Sequence, residues 1–222
     1  MTARNYLNIS VIFIPVLCAA VAVATGQYLP HAAVPITCIP VIIFLRRRDV
    51  RHTWWLLIAA LLLSIAGDWM LRHRGSDGLR FICGIALFFG AHVGYLLFCL
   101  RNGQIKWLWL TVLLACYGLF FMIALGPAIQ ETAMRVAVLL YMLISCFSLA
   151  AASGLQQPVA VRWLFMAGIA CIIFSDTLIA LHEFMHTARW LYATLMMPTY
   201  YASHILITTS AVYPQSEEPA CL

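Results

Sequence analysis

Charged side chains are scarce in this chain of 222 residues, of which Asp, Glu, Lys and Arg make up only 9%. Soluble domains contain about 25% charged and about 45–50% apolar residues. Hydrophobic residues here reach 64%, and the mean hydropathy is +0.94. The composition excludes an ordinary soluble domain and predicts a multi-pass integral membrane protein in contact with the lipid bilayer. The net charge of +5 does not indicate nucleic-acid binding, because the cations stand at the ends of apolar runs.

Closely spaced cysteines are also absent. The eight cysteines are scattered, and no two lie within three residues of each other, so the chain has no C-x-x-C motif. We interpret seven of them as small buried hydrophobic residues, with Cys221 in the tail, and expect neither disulfides nor a metal cluster. No metal site and no cofactor are therefore predicted.

Long apolar runs dominate the sequence instead. About 20 helical residues cross a bilayer, so the runs predict an all-α, polytopic transmembrane helix bundle of about eight spans. Residues 1–212 are expected to form a single transmembrane domain, and residues 213–222 a short disordered C-terminal tail. The predicted helices cover residues 8–26, 31–45, 53–72, 79–101, 105–125, 132–153, 161–182 and 188–210.

The distribution of Lys and Arg predicts the orientation of the bundle. With eight spans, the side that holds both termini carries eight of these cations and the opposite side carries five. Because cytoplasmic loops are enriched in Lys and Arg, both termini are predicted to be cytoplasmic. Arg72, Arg74 and Arg80 run against this rule, since they cluster in one translocated loop.

Two aspartates lie inside apolar runs, Asp68 in the third predicted helix and Asp176 in the seventh. Lipid offers a carboxylate no water, so such residues normally face a bundle interior and mark a functional site. Arg72 follows Asp68 by four residues, which is the spacing of an ion pair on one helical face. Asp68 could therefore be a partnered residue near the interface, whereas Asp176 has no basic neighbour in its own helix.

Other polar residues accompany the aspartates in the apolar runs. His92 and Tyr95 are three residues apart and share a helical face, and Tyr200 and His204 are one turn apart. Ser175 directly precedes Asp176. Because lipid satisfies none of these groups, one shared polar cavity is the simplest arrangement. The histidines could alternatively hydrogen-bond to neighbouring helices, and the tyrosines could serve in packing alone.

The segment His182-Glu183-Phe184-Met185-His186 matches H-E-x-x-H, the signature of zinc hydrolases. It falls at the end of a predicted helix, where polar residues are expected anyway, and a third ligand would have to come from elsewhere. A zinc-dependent intramembrane hydrolase is therefore an alternative rather than the expected function. A proton-coupled transporter is the other alternative, because transporters also use buried carboxylates.

Three blocks of sequence resemble one known family. S-I-A-G-D-W-M-L at 64–71, with Phe81, Gly84, His92 and Tyr95, is similar to S-x-x-G-D-x-x-L, F-x-x-G and H-x-x-Y. The block 168–176 is similar to G-x-x-x-F-x-x-S-D with its Phe shifted, and 200–207 to Y-x-x-A-Q-x-L-I with His204 where Gln is common. These patterns resemble the lysoplasmalogenase family, also called the YhhN-like membrane proteins.

The resemblance implies hydrolysis of the vinyl ether bond of a lysoplasmalogen, a lysophospholipid, to a fatty aldehyde and glycerophospho-ethanolamine or glycerophosphocholine. Such hydrolysis transfers a proton to carbon, and water then attacks the resulting oxocarbenium ion. An aspartate in water has a pKa of about 3.9, but two adjacent buried carboxylates share one proton. Asp68 and Asp176 would form this pair, as in the two-carboxylate glycosidases. Asp176, which has no nearby cation in its helix, is the preferred proton donor.

The resemblance also suggests roles for the remaining polar residues. His92 and Tyr95 would join the aspartates as catalytic residues by orienting water or a carboxyl group. Three arginines would hold the lipid phosphate near the mouth of the site, although snorkelling at a helix end would also account for them. The oligomeric state is left open. The predicted substrate-binding residues are Arg72, Arg74, Arg80, Ser175, Tyr200 and His204.

Overall fold

The described part of the chain forms eight helices. In the computed structural model it comprises residues 3–25, 28–46, 53–75, 77–187 and 189–213. The last turns of α5 include a π-helical segment, Phe121–Leu125, before the helix ends at Ala128. The helices are α1 (Ala3–Thr25), α2 (Tyr28–Arg46), α3 (Trp55–Arg72), α4 (Gly78–Arg101), α5 (Trp107–Ala128), α6 (Thr132–Ala152), α7 (Val159–Met185) and α8 (Arg189–Val212).

The predicted all-α fold with eight helices is confirmed. The largest difference at a helix end is in α1, which begins at Ala3, five residues earlier than predicted. Differences of three residues follow at the start of α2 and at the ends of α5 and α7, the last of which ends at Met185. The longer α7 takes in most of the H-E-x-x-H segment. The predicted disordered tail from residue 214 onward, with Cys221, lies outside the described residues, as do Arg47, Arg48 and Arg51 of the orientation count.

Five of the described helices, α3 to α7, are long and apolar enough to cross a membrane. The first two helices contain shorter apolar stretches, Val11–Thr25 and Ala32–Leu45. Polar residues of α8 such as Ser203, His204 and Thr208 are fully buried, so this helix directs its polar groups into the bundle. The chain is therefore an integral membrane protein with several membrane-spanning helices.

Six helices pack into a closed ring in the order α2, α3, α4, α6, α7 and α8, and α8 returns to α2. Outside the ring, α1 packs against α2 and α8, while α5 packs against α6 and touches α7 through its π-helical segment. Buried apolar residues such as Leu57, Tyr95, Phe165 and Ile207 fill one end of the ring. Polar groups gather at the other end, where α3 and α7 finish and α8 begins.

Glycines allow the closest helix contacts. A Cβ atom on Gly67 of α3 would lie 2.9 Å from the ring of Phe88 of α4. A Cβ atom on Gly168 of α7 would lie 3.0 Å from the backbone oxygen of Ser203 in α8. Small residues at such contacts are typical of helix pairs in membranes. These two contacts fix α3 and α7, the helices that carry the aspartates, against α4 and α8.

Short turns connect the helices at the polar end. Asp77 caps α4, because its carboxylate accepts hydrogen bonds from the backbone N–H groups of Leu79 at 3.0 Å and Arg80 at 3.3 Å. Gly75 has φ +53°, and His186 ends α7 in the left-handed conformation with φ 52°. Arg74 lies in the turn between α3 and α4, and Glu183 lies in the last turn of α7.

Candidate active site

A cavity of about 180 Å³ lies inside the polar end of the helix ring. Its lining comes mainly from α3, α7 and α8, with Phe81 and Phe88 from α4 and Ala32 from α2. Both Asp68 and Asp176 line it, and their charges are close enough to interact. The structure therefore places the two aspartates in one chamber, although they are far apart in the sequence.

Asp68 is held by the hydroxyl group of Tyr200 from α8. Tyr200 Oη donates to Oδ2 of Asp68 at 2.6 Å. The ring of Tyr200 packs edge-on against Phe88, with centroids 6.4 Å apart. Arg72, one turn further along α3, also lines the cavity and acts electrostatically on Asp68. A hydroxyl donor and a guanidinium therefore both stand beside this carboxyl group.

Asp176 stands at the end of a relay of hydrogen bonds that runs through α6 and α4. The hydroxyl of Tyr141 donates to Oδ2 of Asp176. The hydroxyl oxygen of Tyr141 also lies 3.0 Å from Nε2 of His92. Nδ1 of His92 lies 2.7 Å from the hydroxyl oxygen of Ser148. Three polar side chains in series thus connect this carboxyl group to the buried side of the bundle.

The relay is compatible with both protonation states of Asp176. Ser148 donates to the carbonyl of Ser145 at 2.9 Å, so its oxygen can accept Nδ1–H of His92. The hydroxyl of Tyr141 then donates to Nε2, and a protonated Asp176 donates to the Tyr141 oxygen. With the other His92 tautomer, Ser148 donates to Nδ1, Nε2–H donates to Tyr141, and Tyr141 donates to an ionised Asp176. Neither arrangement requires a charged histidine.

The other predicted polar residues lie beside or behind the aspartates. Ser175 lines the cavity, and its buried hydroxyl has no hydrogen-bond partner in the described part of the chain. Tyr95 is fully buried behind His92, with the two rings edge-on and 6.0 Å apart. His204 packs behind Tyr200 at 4.4 Å, and neither of its ring nitrogens has a partner among the described residues. His92, Tyr95 and His204 do not line the cavity, and His92 reaches it only through Tyr141.

The three predicted arginines separate into two positions. Arg72 and Arg74 line the cavity at its mouth. Arg74 forms an ion pair with Glu183, with Nη2 2.6 Å from Oε2, and its guanidinium lies 4.3 Å above the ring centroid of Phe81.

Arg80 does not line the cavity. Its Nη1 donates to the backbone oxygen of His73 at 2.8 Å, and its Nε lies 3.4 Å from Asp77.

The H-E-x-x-H segment contributes to the cavity mouth rather than forming a cluster of ligands. His182 stacks on Tyr192 of α8 with ring centroids 4.1 Å apart, and Glu183 pairs with Arg74. His186 stands at the end of α7. In the described ranges, no three His, Cys, Asp or Glu residues come together as a metal site would require.

Sequence reasoning missed three residues of the site. Tyr141 and Ser148 join Asp176 to His92, and Tyr192 lines the mouth beside Glu183. A signal for the first two was present, because Tyr141, Ser145 and Ser148 recur at helical spacing within an apolar run. Tyr192 carried no comparable signal, since an aromatic residue near a helix end is common in membrane proteins.

The sequence model of the YhhN family matches residues 27–211, which include all of α3 to α7 and nearly all of α8. The chain belongs to the YhhN family. This result confirms the family resemblance carried by the G-D block at Asp68 and the S-D block at Asp176. The match includes every residue that lines the cavity. Neither the curated proteins nor the solved structures include a match to this YhhN chain.

Proposed function

We propose that this YhhN-family protein is a lysoplasmalogenase, which hydrolyses the vinyl ether bond of a lysoplasmalogen. The products are a fatty aldehyde and glycerophospho-ethanolamine or glycerophosphocholine. The main support is the meeting of Asp68 and Asp176 in one cavity within the membrane-spanning bundle. Two buried carboxyl groups that interact can hold one proton between them and so supply an acid and a base together.

The proposed reaction begins with proton transfer from one aspartate to the vinyl carbon next to the alkyl chain. The carbon bonded to the ether oxygen becomes part of an oxocarbenium ion, which the second carboxylate stabilises. Water then adds to this carbon and gives one proton to a carboxylate. This addition forms a hemiacetal. The hydroxyl group of the hemiacetal then loses its proton as the bond to the glycerol oxygen breaks, the glycerol oxygen takes up a proton, and the aldehyde leaves. No proton is consumed overall.

The surroundings of the two carboxyl groups favour different roles for them. Tyr200 donates to Asp68 at 2.6 Å, and Arg72 lines the cavity one turn along the same helix, so Asp68 has a hydrogen-bond donor and a cation to hold its carboxylate beside the developing positive charge. Asp176 adjoins the relay through Tyr141 and His92, which fits a protonated carboxyl group as well as an ionised one. We therefore assign proton donation to Asp176 and stabilisation of the cation to Asp68.

The apolar surroundings of Asp176 suit the hydrocarbon chain of such a substrate. A second cavity of about 60 Å³ borders Asp176 and shares four apolar residues with the main one, Leu71, Phe81, Phe88 and Ile179. Its remaining lining is apolar except for Tyr141. A lipid whose polar end faces the arginines would thus direct its chain past Asp176, with the vinyl ether between the carboxyl groups.

The decisive experiment supplies purified protein with lysoplasmalogen and measures fatty aldehyde. Wild-type protein should release aldehyde, and Asp68→Asn or Asp176→Asn should each abolish release, because an amide neither donates a proton to carbon nor carries a charge. Glu131→Gln is a matched control, since Glu131 is exposed at the start of α6 and does not line the cavity. Full activity in either aspartate variant would contradict the mechanism.

Two further measurements distinguish the alternatives. A proton-coupled transporter would move substrate or protons across liposome membranes without producing aldehyde. A zinc enzyme would lose its activity with a chelator. Aldehyde release that survives chelation and occurs in detergent, where no transport is possible, supports the proposed function over both alternatives.

A further inference from the structure

The cavity has an inner and an outer tier, and each tier is built from the same three helices. The inner tier contains Asp68 of α3, Asp176 of α7 and Tyr200 of α8. The outer tier contains the residues nearer the mouth, which lie about one or two turns away along the same helices. These outer residues are Arg72 at the end of α3, Arg74 in the turn that follows α3, Glu183 on α7 and Tyr192 on α8.

The outer tier carries charges of both signs on one surface. Arg74 and Glu183 form their ion pair with side chains 26% and 23% exposed, so both remain accessible from the mouth. Tyr192 interacts electrostatically with both Glu183 and Arg74, and its ring is held against His182. The mouth therefore presents a guanidinium, a carboxylate and an aromatic ring side by side. Arginines alone would suffice for a phosphate, so the carboxylate requires its own explanation.

The distance between the tiers matches the dimensions of a phospholipid head group. Asp176 and Glu183 are seven residues apart on one face of α7, so they are separated by roughly 10 Å along the helix axis. From the vinyl ether oxygen to the ammonium nitrogen, the proposed ethanolamine substrate spans about nine bonds, or roughly 11 Å when extended. A substrate with its ether bond at Asp176 would therefore place its ammonium group near Glu183.

We infer that Glu183, with Tyr192 beside it, forms an ammonium subsite that selects lipids with a zwitterionic head group, while Arg74 and Arg72 take the phosphate. The assignment rests on the proposed function for the kind of lipid involved. The carboxylate attracts the ammonium charge, and an aromatic ring contributes a cation–π contact to it. The H-E-x-x-H segment thus supplies a head-group contact through its glutamate.

Binding of a zwitterion leaves no charge in the mouth without a partner. The Arg74–Glu183 pair opens, the phosphate pairs with Arg74, and the ammonium group pairs with Glu183. A lipid with a phosphate but no ammonium group would pair with Arg74 and leave the Glu183 carboxylate without a cation. That carboxylate would then lie next to the negative charge of the phosphate. Such an unpaired carboxylate disfavours the wrong ligand and thereby produces specificity.

The test measures binding of saturated ether lysolipids, which have no vinyl ether bond to hydrolyse. The full chain in detergent is titrated with 1-O-alkyl lysophosphoethanolamine and with 1-O-alkyl glycerol 3-phosphate, and native mass spectrometry gives both dissociation constants. We expect wild-type protein to bind the zwitterion about tenfold more tightly, as a partly exposed charge pair allows. Glu183→Gln should bring the ratio close to one, because binding of the zwitterion weakens and the repulsion of the phosphate-only lipid is removed. Glu183→Asp should retain a preference for the zwitterion. Glu131→Gln should leave the ratio as in wild type.

The ratio distinguishes recognition from a structural role. A variant that merely disrupted the structure of the mouth would weaken binding of both lipids equally. An unchanged ratio of the two dissociation constants in Glu183→Gln would therefore overturn the inference. Failure of the wild-type protein to prefer the zwitterion would overturn it as well, without reference to any variant. Because these ligands cannot be cleaved by vinyl ether hydrolysis, the result is independent of aldehyde release. Absence of aldehyde with an intact ratio would refute the proposed hydrolysis alone.

Discussion

Tyr141 holds the central position in the relay, because its single hydroxyl group contacts both Asp176 and His92. The carboxyl group, the phenol and the imidazole can hydrogen-bond in series only while this oxygen is present. Without it, Asp176 would lose a hydrogen bond and Nε2 of His92 would be left buried without a partner. We therefore expect Tyr141 to affect the chemical step, although its hydroxyl need not touch the substrate.

Replacing Tyr141 with Phe should lower kcat for aldehyde release by about 100-fold, the usual size of an acid–base contribution. KM should change little, because the hydroxyl of Tyr141 points to Asp176 and His92 rather than to the mouth. The measurement is a steady-state comparison of both parameters on lysoplasmalogen. A rise in KM with unchanged kcat would assign Tyr141 to substrate binding instead.

Tyr117→Phe provides the matched control for this change. The hydroxyl of Tyr117 lies 3.4 Å from Oγ1 of Thr177, which also donates to the carbonyl of Ile173 at 2.7 Å. Removal of the Tyr117 hydroxyl thus leaves Thr177 with a hydrogen bond. This variant should retain kcat, so an equal loss in both variants would indicate general damage to the bundle rather than a specific role for Tyr141.

At the scale of helices, the relative position of α7 and α8 depends on Gly168. A Cβ atom there would lie 2.7 Å from Cγ1 of Ile207 and 3.0 Å from the backbone oxygen of Ser203. A side chain can rotate away, but the backbone oxygen can yield only if α8 moves as a whole. Because α8 carries Tyr200, any such movement would also shift the partner of Asp68.

Gly168→Ala should therefore destabilise the protein by about 1–3 kcal/mol, the usual cost of overpacking. Gly118→Ala is the opposite control, because nothing lies within 4 Å of the position of its added Cβ atom. Gly118 lies within α5, where alanine is favoured over glycine by up to about 1 kcal/mol. Thermal unfolding in detergent should show a lower Tm for Gly168→Ala and an unchanged or higher Tm for Gly118→Ala. A Tm at or above the wild-type value in Gly168→Ala would show that α8 adapts without cost.

The helices could be predicted from the sequence because each is a long apolar run, and the aspartates because a carboxylate in such a run is exceptional. The partners of the aspartates could not be predicted in the same way. Tyr141 and Tyr200 look like packing residues until the ring of helices brings them to Asp176 and Asp68. For Arg80 the sequence prediction was a substrate-binding residue, because of its charge. In the structure its guanidinium instead contacts Asp77 and the backbone oxygen of His73, away from the cavity.

For the whole molecule, the arginines at the cavity mouth bear on the predicted orientation. Arg74 pairs with Glu183, and Arg80 binds Asp77 and the oxygen of His73. Arg135, on the same side, donates to the oxygen of Ile129 at 2.6 Å. Each of these cations therefore has a role within the fold, which accounts for arginines on the side that the count of Lys and Arg predicts to face away from the cytoplasm. The prediction of cytoplasmic termini follows from the remaining cations.

This orientation places the cavity mouth on the side of the membrane away from the cytoplasm, and single cysteines can test it. Thr187 is exposed in the turn between α7 and α8, and Gln156 is exposed in the turn between α6 and α7 on the opposite side. In intact cells, a membrane-impermeant maleimide should label Thr187→Cys and should reach Gln156→Cys only after permeabilisation. The same labelling of the wild-type chain gives the background signal from its native cysteines. The reverse pattern would place the mouth in the cytoplasm, so that lipid would enter from the inner leaflet and the excess of Lys and Arg would face outward.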